Sequence, residues 1–190
     1  MAADLIRAGA TLRKPPIYER DGIPGSGGPD WWKNRYEFVI CATNGGKLPW
    51  SDNVACGHEP VCEPGGKGTY RDKNGQRQSA EKGHYRPPTL ANPGNVIDCG
   101  PGGHLGSALA HENEAPFPEK LVKPFILSFC LPGGTVLDPF GGSGTVAAVA
   151  EKHGRNSISI DIRPSQVDLM HRRLREVRGT PPIPIVKEIP

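Results

Sequence analysis

The chemistry-bearing residues of this chain cluster between two carboxylates, Asp138 and Asp161, which bracket the glycines Gly141, Gly142 and Gly144. Thr135-Val-Leu-Asp138 is apolar and β-branched, so it reads as a strand that ends on its acid. The glycines let the backbone turn sharply and come close to a ligand without interference from a Cβ atom. Free N–H groups at the start of the helix that follows would offer hydrogen-bond donors. Asp161 comes 19 residues after Gly142, near the spacing expected of a carboxylate that holds ribose hydroxyls. Strand, Gly-rich turn, helix and acid-ended strand make a mononucleotide-binding unit, whose ligand sits at the carboxyl edge of a parallel sheet. On geometry alone the ligand is a nicotinamide dinucleotide or a nucleoside such as S-adenosylmethionine. The order Gly-Gly-Ser-Gly, with Ala147 where a dinucleotide site has its third glycine, favours the nucleoside. So does Asp138, whose charge opposes a pyrophosphate but suits an ammonium and a sulfonium.

Several elements must position these residues. Leu121 to Cys130 is expected to be a helix, because Leu121, Val122, Phe125, Ile126 and Phe129 recur every three to four positions. Gly133-Gly134 break it before the strand at Thr135–Asp138. A helix from Thr145 to His153 should stop at Gly154, and Ser157–Asp161 should be the next strand. The last helix is expected to start at an N-cap Ser165 answered by Asp168, to carry the stripe Val167, Met170, Leu174 and Val177, and to end at Gly179. Upstream, Ala2 to Gly9 is helix-like, Arg35 to Thr43 reads as one strand, and Asn95 to Cys99 as another.

Composition sets the frame. The 190 residues include 25 Gly and 21 Pro, with 36% hydrophobic content, a mixture that fits one α/β domain interrupted by long polar loops. Four regions follow: 1–50, the N-terminal part of the sheet; 51–106, an irregular basic insertion; 107–178, the βαβ region; and 179–190, a Pro-rich tail. The net charge of +3 is small, but Lys67, Arg71, Lys73, Arg77, Lys82 and Arg86 face only Asp72 and Glu81 within one stretch of the insertion. Such an arm suits a phosphate backbone and equally describes a solvated loop. Cys56, His58 and Cys62, with Cys99 and His104, form a non-standard zinc spacing; free thiols are the simpler reading, and no metal is expected. Trp31-Trp32 reads as a packed loop anchor or a stacking surface for bases. Arg172, Arg173, Arg175 and Arg178 read as one polar helix face or as phosphate contacts. No segment is long and apolar enough for a signal peptide or a membrane span, so a cytoplasmic location is expected, in a bacterial or phage-infected cell.

Beyond spacing, the wording is specific. Asp138-Pro-Phe-Gly-Gly-Ser-Gly-Thr145 resembles the cofactor motif of the DNA N6-adenine/N4-cytosine amino-methyltransferases. Asn113-Glu-Ala-Pro-Phe-Pro-Glu-Lys-Leu121 resembles the helix-leading motif that flanks the methionine end of the cofactor there. Ile158-Ser-Ile-Asp161 and Arg172-Arg173-Leu174 resemble the closing segment, with Ser159 where the family usually has Gly. Arg35-Tyr-Glu-Phe-Val-Ile40 resembles the strand before the recognition region, and the Gly25-Ser-Gly-Gly-Pro-Asp-Trp-Trp32 run and Leu48-Pro-Trp-Ser-Asp52 resemble phage and prophage members. A basic loop ahead of both cofactor motifs matches the permuted, β-type order. The resemblance implies S-adenosylmethionine as cofactor, held by Asp138, Pro139, Phe140, Gly141, Gly142, Ser143, Gly144 and Thr145. It places Asp161 on the ribose and Phe117 and Pro118 on the facing wall. It implies double-stranded DNA as partner, met by the Lys67–Arg86 arm.

Transfer of a methyl group to an exocyclic amine needs acceptors for the amine N–H protons and an aromatic ring under a flipped base. The family supplies these with Asp/Asn/Ser-Pro-Pro-Tyr/Phe, and that tetrapeptide is absent. The nearest match, Lys14-Pro-Pro-Ile-Tyr18, puts a donor where an acceptor is needed and its ring one residue late; it reads as a structural extended segment. No catalytic residue is assigned. The expectation is a Rossmann-like α/β methyltransferase sheet, permuted and N-terminally incomplete, with an irregular insertion. Its function is site-specific methylation of adenine N6 or cytosine N4. The alternatives are a non-catalytic or split-enzyme subunit and an NAD-dependent oxidoreductase. Exposed sheet edges would call for a homodimer or a second chain that supplies the catalytic motif.

Overall fold

The computed structural model describes residues 2–20, 27–61, 69–79, 88–100 and 105–179. The chain divides into two units, Met1–Asp52 with Asn95–Pro190, and Asn53–Gly94. In chain order the elements are α1 (Ala2–Arg7), β1 (Thr11–Leu12), β2 (Ile17–Glu19), β3 (Tyr36–Phe38), β4 (Ala42–Thr43), β5 (Thr69–Arg71), β6 (Arg77–Ser79) and β7 (Val96–Asp98). A 3₁₀ turn (Ala108–Glu112) then leads into α2 (Glu119–Phe129), β8 (Thr135–Asp138), α3 (Thr145–Lys152), β9 (Asn156–Ser159) and α4 (Pro164–Arg178).

In the larger unit β8 and β9 run parallel, with Leu137 opposite Ile158 and Asp138 opposite Ser159. The helix α3 crosses between them and packs on one face. There Val122 and Ile126 of α2 meet Val149 and Ala150 of α3, with Val136 and Val146 against them. Alternation along the strands sends Leu137 and Ile158 to the other face, where they are 62% and 55% exposed. A second sheet has the order β3-β2-β7, antiparallel between β2 and β3 and parallel between β2 and β7. Among the described residues β8 pairs only with β9.

Three expectations change. The single strand foreseen over Arg35–Thr43 is two strands, β3 against β2 and β4 against β1. Pro15 and Pro16 lie opposite the break and have no N–H to donate, so the ladder lapses there. It is bridged only by Val39 N to Pro16 O and Arg13 N to Cys41 O, both 2.9 Å. The last helix starts at Pro164, not after an N-cap Ser165. Its cap is Arg163, with no side-chain cap bond, because proline is pre-set for a first helical position. The insertion contains a hairpin, β5–β6, that hydrophobic periodicity did not reveal. Its cue is Asp72-Lys-Asn-Gly75, where Asp72 Oδ1 accepts from Asn74 N and Gln76 N and Gly75 takes a positive φ of 76°. The helix-stopping glycines match, Gly154 and Gly179 having φ of 67° and 64°, while other ends shift by one or two residues: α1 stops at Arg7, α2 runs Glu119–Phe129, and β9 runs Asn156–Ser159 and so ends before Asp161.

Candidate cofactor-binding site

The turn after β8 is built from its own backbone. Asp138 Oδ1 accepts from Phe140 N at 3.1 Å, Gly141 N donates to Ile160 O at 2.7 Å, and Gly144 N donates to Gly141 O at 2.7 Å. Gly144 caps α3 in the left-handed region at φ 74°, a conformation that glycine alone adopts cheaply. The structure adds a packing reason for the glycines. A Cβ at Gly141 would lie 2.5 Å from Met170 Sδ, and one at Gly144 would lie 3.0 Å from Met170 Cγ. Met170 of α4 therefore seats directly on the turn. Gly144→Ala is expected to cost about 1–2 kcal/mol for the backbone plus about 1–3 kcal/mol for overpacking, read from the urea midpoint of unfolding.

Asp161 lies two residues beyond β9, and the β8–β9 register returns it to the turn. Its Oδ2 accepts from Gly142 N at 3.0 Å and its Oδ1 from Arg163 N at 2.9 Å. The side chain is 9% exposed. The Arg163 N–H first, then the Gly142 N–H and the Arg163 charge, hold its carboxyl below the usual aspartate range. It is therefore ionised at neutral pH; Oδ1 also faces Arg163 Nε at 3.6 Å, while Oδ2 keeps a lone pair for a further donor such as a ribose hydroxyl.

The facing wall is tied to the turn from inside. Thr145 Oγ1 donates to Phe117 O at 3.4 Å, and the Asn113 amide lies over Gly142. Pro118 is buried and caps α2. Phe117 is partly exposed and Phe140 almost fully so. A cleft of about 940 Å³ reaches Phe117 from the side of β2 and β3, lined also by Tyr18, Arg20, Glu37 and Phe38. Tyr18 of the Lys14-Pro-Pro-Ile-Tyr18 stretch thus lies on a sheet strand beside that cleft, not in the Gly-rich turn.

One residue that holds the candidate site together was not marked by the sequence pattern. Arg173 was grouped with solvent-facing arginines, yet it is 0% exposed. Its Nη1 donates to Thr145 Oγ1 at 3.0 Å and Ser143 Oγ at 3.3 Å. Its Nη2 donates to Leu105 O at 2.7 Å and Glu119 Oε1 at 2.9 Å. The hydroxyls of Ser143 and Thr145 are therefore engaged within the protein. Glu119 also receives Lys152 Nζ at 2.7 Å. The available cue was helical phase, since Arg173 follows Leu169 and Met170 by four and three positions. Arg172 and Arg178 do face outward, paired with Glu112 and Glu151.

Of the basic arm, Arg71, Lys73 and Arg77 lie on or beside the hairpin in the smaller unit. Lys67, Lys82 and Arg86 lie outside the described residues, as do Cys62 and His104 of the zinc alternative. His58 Nδ1 contacts Glu59 O at 2.8 Å. Trp32 is 96% exposed, so it is no packed anchor within the described residues.

A parallel βαβ unit with an acid-ended first strand, a Gly-rich turn and a second acid on that turn defines a Rossmann-like nucleoside-binding protein. The sequence profile of the DNA methylase family matches residues 11–172, and this chain belongs to that family of N6-adenine/N4-cytosine amino-methyltransferases. Among curated relatives, the orphan methyltransferase M.BamHII of Bacillus amyloliquefaciens is 32% identical over 88% of this chain and 63% of its own length. The DNA adenine methyltransferase YhdJ of Escherichia coli K12 is 37% identical over 54% of this chain and 36% of its own. Among solved structures, the PvuII cytosine-N4-specific DNA methyltransferase superposes with a TM-score of 0.62 at 18% identity. That match covers 92% of this chain and 57% of that one. The M1.HpyAVI–SAM complex gives 0.55 at 17% identity, covering 91% and 66%. These structures show the Rossmann-like methyltransferase fold. The chain spans under two thirds of the length of these relatives and structures.

Proposed function

We propose that this chain binds S-adenosylmethionine and serves site-specific methylation of an exocyclic amine of double-stranded DNA, adenine N6 or cytosine N4. The observation that carries the reading is the closure of the Asp138–Gly144 turn on Asp161, with the Phe117 wall bonded to the same turn through Thr145. The donor set fits the group. Asp161 keeps acceptor capacity for ribose hydroxyls, Asp138 places a carboxylate where an ammonium and a sulfonium would be balanced, and buried glycines leave backbone next to the ligand. When bound, the cofactor would supply an electrophilic methyl group to the amine nitrogen, and an acceptor would be needed for the amine proton released. This chain's residues bind and orient.

The acceptor for that proton belongs to the absent tetrapeptide, so the reading includes a further segment or a second chain, a partner copy included, that supplies it. Support comes from the sheet. The edge of β8 away from β9 has no strand among the described residues, Leu137 and Ile158 are left bare on the face away from α3, and Ile160 and Ile162 are exposed just beyond β9, the kind of apolar surface that marks an interaction site. Among the described residues no helix is long and apolar enough to cross a membrane.

The test has two arms on the purified chain. Calorimetry should show saturable, one-to-one binding of S-adenosylmethionine, and none of NAD; the absence of S-adenosylmethionine binding overturns the proposal. Incubation with labelled cofactor and mixed-sequence duplex DNA should give no methyl transfer by the chain alone. Transfer would show that some residue here replaces the tetrapeptide and that no second segment is needed.

A further inference from the structure

The hairpin β5–β6 has two chemically different faces. The register pairs Thr69 with Ser79, Tyr70 with Gln78 and Arg71 with Arg77. Alternation puts Thr69, Arg71, Arg77 and Ser79 on one face, and all four are exposed. That face carries two guanidinium groups and two hydroxyls, and no carboxylate.

The nearby acid is turned away. Asp72 shares the other face with Tyr70 and Gln78. Its Oδ2 accepts from Gln78 Nε2 at 3.0 Å while its Oδ1 accepts two backbone N–H groups of the turn. The Gln78 amide and those N–H groups keep its carboxyl below the usual range, so it stays an acceptor inside the turn. Arg71 Nη1 donates to Gly75 O at 2.7 Å and Arg77 Nε to Thr69 Oγ1 at 3.4 Å. The remaining guanidinium donors have no acceptor among the described residues, and neither arginine has a carboxylate partner there. Like charges directly opposite on a two-stranded ribbon oppose its formation. An anion between them would reverse that effect, and guanidinium forks match phosphate oxygens in pairs.

We propose that the Thr69–Arg71–Arg77–Ser79 face of this hairpin is a DNA-backbone clamp, with Arg71 and Arg77 holding a single phosphate between them. This rests on the reading of the chain as part of a DNA methyltransferase and names the element that would orient the duplex. A two-stranded ribbon is also narrow enough to follow a groove. The contact positions the protein on DNA and is independent of base sequence.

The experiment measures binding of the full chain to a fluorescent mixed-sequence duplex by anisotropy across a salt series. It compares the wild type with Arg71→Thr, Arg77→Thr, the double variant, and Arg7→Thr as a control of equal charge change on α1. Amide hydrogen exchange of residues 69–79 is followed on the free proteins. Each hairpin variant should weaken binding and lower the salt slope by about one, the double variant should lose less than the two single losses combined, and the control should match the wild type. Exchange in the hairpin should slow in the variants, because the opposed charges are gone. Loss of binding through damage to the fold would instead speed it. Duplex binding by the wild type that both single variants retain, with unchanged slope, overturns the clamp and leaves the methyltransferase reading standing. Failure of the wild type to bind duplex at all overturns the DNA reading and the clamp with it.

Discussion

Replacing Arg173 by Met is expected to be the most damaging single change in the nucleoside-binding unit. The arginine is fully buried and joins the 105 backbone, the first turn of α2 and the Gly-rich turn. Removing one member of a buried ion pair costs about 3–5 kcal/mol, because the other charge is left without its partner. Glu119 would keep Lys152 as a counter-ion, which places the expected loss toward the lower end of that range. Urea denaturation at neutral pH reads it directly. The same variant should bind S-adenosylmethionine more weakly even at temperatures where it is fully folded, since Ser143 and Thr145 would lose the donor they share, and Thr145 is the residue bonded to Phe117 O. A core variant of similar stability loss, Val149→Ala, separates the two effects: it should bind the cofactor like the wild type once folded. Arg173→Lys should fall between, because an ammonium keeps the charge but cannot span four acceptors as a planar fork does. Arg172→Met, on the exposed side of the same helix, should leave the midpoint almost unchanged. Equal midpoints for the Arg172 and Arg173 variants would refute this account of the site.

Asp161→Ala should abolish most cofactor binding while leaving the fold in place. The carboxylate holds the Gly142 and Arg163 N–H groups, and the proposal gives it the ribose hydroxyls as well. Loss of hydrogen bonds to a charged group weakens binding by about tenfold to a hundredfold, which calorimetry resolves. Asp161→Asn, which keeps one acceptor oxygen, should retain part of the affinity. The pH dependence follows from the sign of the shift. Because neighbouring N–H groups hold the folded-state pKa below the usual aspartate value, the carboxylate's contribution is complete above that value and is lost only as pH falls through the lowered one. Affinity should therefore be flat from pH 8 down to about 5 and decline in more acid solution. A decline centred between pH 6 and 7 would assign the dependence to a different group, and unchanged affinity in Asp161→Ala would remove this residue from the site.

How much of this was legible in the sequence differs by region, and the difference is physical. The βαβ unit was legible because each of its parts leaves a short-range mark. β8 is an apolar run, α2 and α3 repeat apolar residues every three or four positions, and the glycines at 154 and 179 stop their helices where an L-residue would be strained. The hairpin was not legible as a strand pair. Thr69–Arg71 and Arg77–Ser79 are polar and bury almost nothing, so hydrophobic alternation has no signal there, and only the turn residues Asp72 to Gly75 mark it. The broken strand at Arg35–Thr43 was misread because its cause lies elsewhere in the chain, in the missing N–H groups of Pro15 and Pro16.

The amino-acid sequence by itself determined the family, the Gly-rich turn proposed to bind the cofactor and the acid that answers it, because these depend on backbone freedom and residue order within about 25 positions. It also determined that the methyl-transfer tetrapeptide is not among these residues. Only the tertiary structure decided which polar groups of the motif stay open and which face inward. Ser143 and Thr145 belong to the cofactor motif in the sequence, yet their hydroxyls are bound to Arg173, and Arg173 itself lies inside a helix stretch that reads as charged surface. Those assignments depend on contacts between residues 28 to 68 positions apart, which local pattern does not encode. The bare Leu137–Ile158 face is decided the same way: an alternating strand shows which residues share a face, and only the packed fold shows which face α3 covers.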